Sequence, residues 1–177
     1  MIRKLKHTQY RTESKLLYAR IHLDELKNNT EKWRASNFSR AHIESFIFHL
    51  FGARDALLQE MNIYYDCKLD IKNVTDEKLE KHFKKSRIQC HELQELVTLE
   101  RDNGSWLYIA KDMRNHITHR DCVTFGFFAG GKEDRQVHLH RPKSQASLDE
   151  DYLETFEKWY NNMCQLIDTL RGHRGCK

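Results

Sequence analysis

The sequence predicts an all-α fold, a bundle of four or five helices with one β-hairpin inserted before the last helix. Three observations carry this prediction. The 177 residues include one proline and seven glycines, which favours long helices. Apolar residues recur at three- and four-residue spacings over most of the chain. One stretch, 121–141, instead alternates apolar and polar residues around "AGGKED", which is typical of a hairpin.

The first half of the chain predicts two long helices. The first covers about residues 13–28, with Thr12 as its N-cap and with apolar positions at Leu16, Leu17, Ala19, Ile21, Leu23 and Leu26. The second covers roughly 33–63, along the series Ile43, Phe46, Leu50, Ala53, Leu57 and Met61. Gly52 inside it costs about 1 kcal/mol relative to alanine, so it indicates a close helix approach.

The second half predicts shorter elements. Residues 75–100 form one helix or two short ones, and "DNG" at 102–104 is a turn. Ser105 can cap a helix over about 106–119. After the hairpin, "SLDE" at 147–150 fits a capping box that opens the last helix, through Tyr152, Phe156, Trp159, Met163, Leu166 and Leu170. The length fits a single domain over 1–177, with a core of about 10–171.

Composition and charge exclude several classes of protein. No run of about 18 apolar residues occurs, so no membrane span is expected. The basic start "MIRKLKHTQYR" has no apolar segment behind it, so we do not expect a secretory signal. Five scattered cysteines without a CxxC pair indicate reduced thiols in a cytoplasmic protein, not a structural zinc site. The net charge of +4 permits contact with nucleic acid.

The stretch "DMRNHITHRD", 112–121, concentrates polar side chains near a helix end. At about 100° per residue, the predicted core stripe of this helix consists of Trp106, Ile109, Ala110, Met113 and Ile117. Asn115 and His119 lie roughly opposite that stripe, at about 180° and 220°, and Arg114 lies on its flank at about 80°. The cluster therefore faces either water or a second chain.

These residue types suit one reaction. An arginine can hold a phosphate oxygen, and a histidine can move a proton near neutral pH. Cleavage of RNA needs both when the ribose 2′-hydroxyl is the nucleophile. An asparagine four residues before the histidine can orient its ring. We expect neither a metal nor a cofactor.

The segment "RNHITH", 114–119, resembles the R-N-x-x-x-H form of the motif of HEPN domains (higher eukaryotes and prokaryotes nucleotide-binding), and "FGARDALLQEMN", 51–62, is similar to their second long helix. The resemblance covers about residues 10–171, with the hairpin as a variable insert. It implies a homodimer whose motif helices meet in one composite cleft. It also implies metal-independent endoribonuclease activity, in a toxin or in defence against phage, with RNA as substrate and an antitoxin protein as a further partner.

By the same resemblance, His119 would transfer protons, Arg114 would stabilise the phosphate and Asn115 would orient the histidine. The neighbouring His116, Thr118 and Arg120 are candidates for substrate contact. HEPN toxins paired with a nucleotidyltransferase carry a tyrosine two residues after the motif histidine, whereas here Arg120 and Asp121 follow, which argues against that partnership. Two alternatives stay open: a non-catalytic HEPN module that binds a nucleotide or RNA, and a plain helical scaffold.

Three other groups of residues each allow two interpretations. His138 and His140 lie on one strand face and form either a metal-chelating pair or an edge-strand surface. Arg54 and Asp55 form either a buried pair that supports the motif helix or a surface pair. The basic segment 80–87 follows an RNA backbone or forms a solvated helix face.

Overall fold

A computed structural model describes residues 2–29, 37–119, 125–129, 135–139 and 151–172, with the side chains of Ile2, Thr118, His119 and both strands outside this description. The described residues form six α-helices, which confirms the all-α class: α1 (Ile2–Asn28), α2 (Asn37–Tyr64), α3 (Asp76–Ser86), α4 (His91–Arg101), α5 (Trp106–His119) and α6 (Tyr152–Gly172). A short 3-10 helix (Ile71–Asn73) precedes α3.

Six helices exceed the predicted four or five because the segment 75–100 forms two. Arg87 ends α3 in the left-handed conformation, with φ 56° and ψ 32°, and the chain cannot continue the same helix from there. Thr75 caps the start of α3, since its side chain accepts the N–H of Lys78 at 3.3 Å.

Two five-residue strands lie between α5 and α6 in the sequence. β1 (Phe125–Ala129) pairs antiparallel with β2 (Arg135–Leu139), and Phe127 is opposite Val137. The other residues of the predicted 121–141 hairpin lie outside the described part of the chain. Among the described residues, no helix is both long and apolar enough to cross a membrane.

The predicted N-cap of α1 at Thr12 is wrong. The helix begins at Ile2, and Thr12 lies within it, with none of its surface exposed. The Thr12 hydroxyl donates a hydrogen bond to Glu60 Oε1 at 2.6 Å, so a tertiary partner replaces the capping contact. The lysine, arginine and leucine residues before Thr12 favour helix and extend it towards the N-terminus.

For α2, the predicted start near residue 33 lies outside the described residues.

The core is built mainly where α1 and α6 pack against α2. Ala19, Leu23 and Leu26 of α1 are buried, whereas Leu17 and Ile21 are 56% and 48% exposed. The predicted apolar stripe of α1 is therefore only partly a core stripe. Between α2 and α6, the rings of Phe46 and Phe156 lie 4.8 Å apart, and both side chains are fully buried.

Local caps fix the ends of α5 and α6. Asp102 Oδ1 accepts the N–H of Gly104 at 3.0 Å, and Ser105 Oγ accepts that of Tyr108 at 3.0 Å, which confirms the predicted turn and cap. α6 begins at Tyr152, later than the capping box predicted at 147–150, which lies outside the described residues. The carboxylate of Asp151 accepts the N–H of Leu153 at 2.9 Å and takes the capping role there.

Candidate functional site

Helix α5, which carries the motif, turns a different side to the core from the one predicted. Leu107, Ala110 and Met113 are its buried residues, whereas Trp106, Ile109 and Ile117 are only partly buried. Because Leu107 belongs to the core, the buried direction lies about 40° away from the predicted stripe, towards Arg114.

This 40° difference in the orientation of α5 places Arg114 against the surface of its own chain. Its side chain is half-buried, and its guanidinium carbon lies 5.7 Å from the centre of the Phe51 ring, within the range of a cation–π contact. Asn115, about 100° further around the helix, is exposed, in agreement with its predicted position opposite the core.

The structure describes the other motif residues only in part. His116 is half-buried, and Thr118 and His119 complete the last turn of α5. The side chains of Thr118 and His119, and the whole of Arg120, lie outside the described part of the chain. Among the predicted site residues whose side chains the structure describes, Arg114 lines a cavity.

That cavity is an open cleft of about 520 Å³ where α1, α2, α5 and the start of α3 meet. Its described lining carries five cationic side chains and two acidic ones: Arg11, Lys15, Arg54, Lys111 and Arg114, against Asp55 and Asp76. We call it the cationic cleft. Clustered arginine and lysine side chains of this kind bind phosphate and other anions.

Arg54 forms the floor of the cationic cleft and is 8% exposed. Its Nε donates to Glu100 at 2.5 Å, its Nη1 donates to Asp55 at 3.1 Å, and its Nη2 lies 3.4 Å from Asp76. Burial lowers the pKa of Arg54, but attraction to Glu100 and the other carboxylates outweighs it and leaves the pKa raised. Neither interpretation of the Arg54–Asp55 pair holds as made: Arg54 is buried with Glu100 as its main partner, whereas 52% of the Asp55 side chain is exposed.

The floor is connected directly to the motif helix. Glu100, of which 2% of the side chain is exposed, also binds the ammonium group of Lys111 on α5. Lys111 and Arg114 are three residues apart, so they lie on one side of α5 and both reach the cleft. The Arg54–Glu100–Lys111 chain thus fixes α5 relative to α2 and α4.

Comparison with known families adds one match. Over residues 7–175 the sequence matches DUF6586, a family of unknown function. The chain belongs to this family. No curated protein and no solved structure matches it. The DUF6586 region spans every lining residue of the cationic cleft, from Arg11 to Arg114, so the cleft is built wholly from the family domain.

Sequence reasoning missed three cations of this DUF6586 site. Arg11 and Lys15 are four residues apart on α1, and Lys111 precedes Arg114 by three residues, so each pair shares a helix face. These spacings were a usable signal for cationic faces. The sequence did not indicate that the two faces meet, because about 100 residues separate them in the chain.

The cysteines do not form a nucleophilic site in the described residues. Cys67 and Cys90 are buried free thiols, and burial raises their pKa values to about 11 and about 12. A thiol with such a pKa is protonated at neutral pH and unreactive. Cys122 and Cys176 lie outside the described residues.

The metal-site interpretation gains no support from the described residues, where no group of three or more potential ligands lies together. The side chain of His138, and all of His140, fall outside that part of the chain. In the basic segment 80–87, Phe83 is buried and Lys84 and Lys85 are exposed, so its one aromatic ring belongs to the core.

Proposed function

We propose that this protein is a metal-independent endoribonuclease of HEPN type, which acts on single-stranded or looped RNA as a toxin or in defence against phage. In this proposal the chain is an HEPN-like bundle, and the paired strands β1 and β2 are its insert before the last helix. The observation that carries the proposal is the position of Arg114. It is the first residue of the R-N-x-x-x-H motif, and it lines a cleft with four further cationic side chains.

The charge of the cleft suits a phosphodiester. Arg11 and Lys15 come from α1 and Lys111 and Arg114 from α5, so the cleft presents positive charge from two helices. Arg54, beneath them, is held by Glu100 and the nearby aspartates and keeps the floor rigid. Binding through such contacts weakens as salt is added, because the RNA releases condensed counterions when it binds.

The reaction needs one nucleophile, one base and one acid. The ribose 2′-oxygen attacks phosphorus in line with the P–O5′ bond, which breaks as the O2′–P bond forms. The products are a 2′,3′-cyclic phosphate and a free 5′-hydroxyl. His119 transfers the protons, Arg114 stabilises the negative charge that develops on the phosphate oxygens, and Asn115 orients His119. His116, Thr118 and Arg120 contact the RNA beside the reacting bond.

The helix geometry favours a site shared by two chains. Arg114 and His119 are five residues apart, which separates them by about 140° around α5. The two positions therefore lie on different sides of one α5 helix. In a two-fold dimer through α5, the partner's His119 can face Arg114, and the two histidines can act as base and acid. An antitoxin protein is a further partner, which would cover this site.

The test is an RNA cleavage assay in EDTA, with wild-type protein, His119→Ala and the control His91→Ala. His91 is an exposed histidine on α4 and does not line the cleft. We expect wild type and His91→Ala to cut RNA and leave cyclic phosphate ends, and His119→Ala to lose at least about 100-fold in rate, the usual contribution of acid–base catalysis. Equal cleavage by all three proteins would remove His119 from the site.

The alternative is a non-catalytic HEPN module that binds RNA or a nucleotide, and the exposure of the anion-binding cleft is compatible with it. Absence of cleavage on a broad RNA pool, together with salt-sensitive RNA binding that Arg114→Ala weakens, would favour this module over the enzyme.

A further inference from the structure

A strip of aromatic and imidazole rings continues from the cationic cleft along the seam between α1 and α2. We call it the ring strip; its members are Tyr18, His22, Phe38, His42, Phe48 and His49. Phe48 is 62% exposed, Tyr18 45% and Phe38 39%. Large exposed aromatic side chains gathered on one face mark a contact surface.

His49 is the centre of the ring strip. The rings of Tyr18 and Phe48 each lie 5.3 Å from it, edge to face, and the His22 ring is stacked on it at 5.6 Å with 6° between the planes. His42 continues the series, since its Nδ1 lies 3.2 Å from His22 Nδ1. The strip follows α2 from Phe38 to His49, a rise of about 16 Å.

Lys15 connects the ring strip to the cationic cleft. Its ammonium group lies 5.1 Å from the centre of the Phe48 ring and 3.3 Å from His49 Nδ1. Lys15 and Phe48 both line the cleft beside Arg114. On α1, the residues Arg11, Lys15, Tyr18 and His22 fall within about 60° of one another, so cations and rings share one face.

Two histidines of the strip, His22 and His49, have lowered pKa values and act as uncharged rings at neutral pH. Burial lowers the pKa of His22, and the neighbouring His42 lowers it further. Burial and the nearby Lys15 lower the pKa of His49. Neutral imidazoles offer flat faces for stacking and ring nitrogens for hydrogen bonds.

We propose that the ring strip binds the bases of a single-stranded RNA whose phosphate backbone lies on Arg11, Lys15 and the cationic cleft. A cluster of cations that adjoins exposed rings on one continuous face suits a single strand, because every base has a face to stack and every nucleotide carries a phosphate. The inference rests on the proposed function in taking single-stranded RNA as the ligand, and it adds where the strand runs and which side chains hold its bases.

A second copy of the chain fits this face less well than RNA does. In a two-fold contact the same surface meets itself, so Arg11 and Lys15 would approach their own copies. Like charges placed together oppose association, whereas RNA phosphates neutralise them. The adjoining flank of α1, with Leu17 and Ile21 exposed, lacks these cations and is more suitable for protein contact.

The test measures binding without cleavage. The probe is a labelled 2′-O-methyl single strand of about 12 nucleotides, within the range that such sites cover. It lacks the nucleophilic 2′-hydroxyl, so binding is read by fluorescence anisotropy alone. We expect Phe48→Ala to weaken binding roughly 5- to 100-fold, as the loss of one base stack does, and Phe48→Trp to keep the wild-type affinity.

The control is Leu17→Ala, an apolar side chain of similar exposure on the adjoining flank, which should leave RNA affinity unchanged. The proposal fails if Phe48→Ala binds the probe as wild type does, or if wild type binds the duplex form as tightly as the single strand. It also fails if Phe48→Ala abolishes self-association in sedimentation while RNA affinity is kept.

The ribonuclease proposal and the strip proposal fail in different ways. Phe48-dependent binding of the 2′-O-methyl strand, with no cleavage of unmodified RNA, supports the strip and contradicts the enzyme. The opposite result is cleavage that depends on His119 but not on Phe48, with the same probe affinity for wild type, Phe48→Ala and Phe48→Trp. That result supports the enzyme and contradicts the strip.

Discussion

Two clusters in this protein are each built around a buried glutamate that binds cationic side chains, but they differ in their roles. In the first, Glu60 is fully buried and accepts hydrogen bonds from Thr12 at 2.6 Å and from Arg171 at 2.8 Å. In the second, Glu100 accepts one from Arg54 at 2.5 Å and also binds Lys111. Each cluster joins three helices through one buried glutamate.

The clusters differ in what their cations face. Arg171 turns its nitrogens towards Glu60, Glu13 and the backbone carbonyl of Gln9, so the first cluster closes on itself and ties α6 to α1 and α2. The cations of the second cluster line the cationic cleft. Buried ion pairs therefore hold helices together in both places, and in the second they also position the cations of the cationic cleft.

The largest effect is expected from Arg171→Met. It removes both Arg171 hydrogen bonds from the fully buried Glu60 carboxylate, and we expect a loss of about 3 kcal/mol in the free energy of unfolding. RNA affinity of the folded protein should not change. Urea unfolding followed by circular dichroism measures the loss, with Arg101→Met as control, because Arg101 pairs with Glu80 at the surface and is 67% exposed. Equal losses in the two variants would contradict the structural role.

The matching change in the second cluster, Lys111→Met, should show the reverse pattern. Arg54 still pairs with Glu100, so we expect less than about 1 kcal/mol of destabilisation. RNA affinity should fall, and the salt dependence of binding should decrease by about one phosphate contact. Anisotropy over a salt series measures both. If Lys111→Met loses as much stability as Arg171→Met, the distinction between the clusters is wrong.

The smallest expected effect is a dependence of folding stability on pH, and it arises in the ring strip. The folded pKa values of His22 and His49 lie below the ordinary 6.5, so the unfolded chain binds more protons as pH falls below 6.5. Their contribution to stability is present above pH 6.5 and is lost towards their folded pKa values. Lys15 opposes protonation of His49, while Glu25 favours that of His22.

The measurement is the urea midpoint at pH 7.5 and pH 5.5 for wild type and for His49→Gln. Asp76 of the cleft has a lowered pKa and stays charged over this interval, so that carboxylate adds no proton uptake of its own. We expect wild type to lose more stability between the two pH values than the variant does. The same loss in both proteins would show that His49 is not responsible.

The sequence predicted elements well where local contacts define them. The helix 106–119 agrees with α5 because Asp102, Gly104 and Ser105 form the turn and cap within four residues. Thr12 was misread because its partner, Glu60, is 48 residues away. Leu17 and Ile21 have helical spacing, yet only the packing of α1 on α2 decides which apolar residues are buried.

The candidate site was predictable to a smaller extent. The motif and its chemistry are contiguous in the sequence, so Arg114, Asn115 and His119 could be named, and their roles stay predictions. The cleft is assembled from α1, α2, α3 and α5, and no local pattern states that these surfaces meet. The buried Arg54 could be suspected from its place in a long helix, but its partner Glu100 could not.

Gly52 shows how the demands of the fold and of the site can conflict. It lies in the middle of α2 at the cleft wall, and a Cβ atom there would come within 3.0 Å of Lys15 Cδ. Alanine would favour the helix by about 1 kcal/mol but would push the lysine stem aside. In a search for more heat-resistant variants, Gly52→Ala would therefore gain helix stability at the cost of displacing Lys15 from its position in the cleft wall.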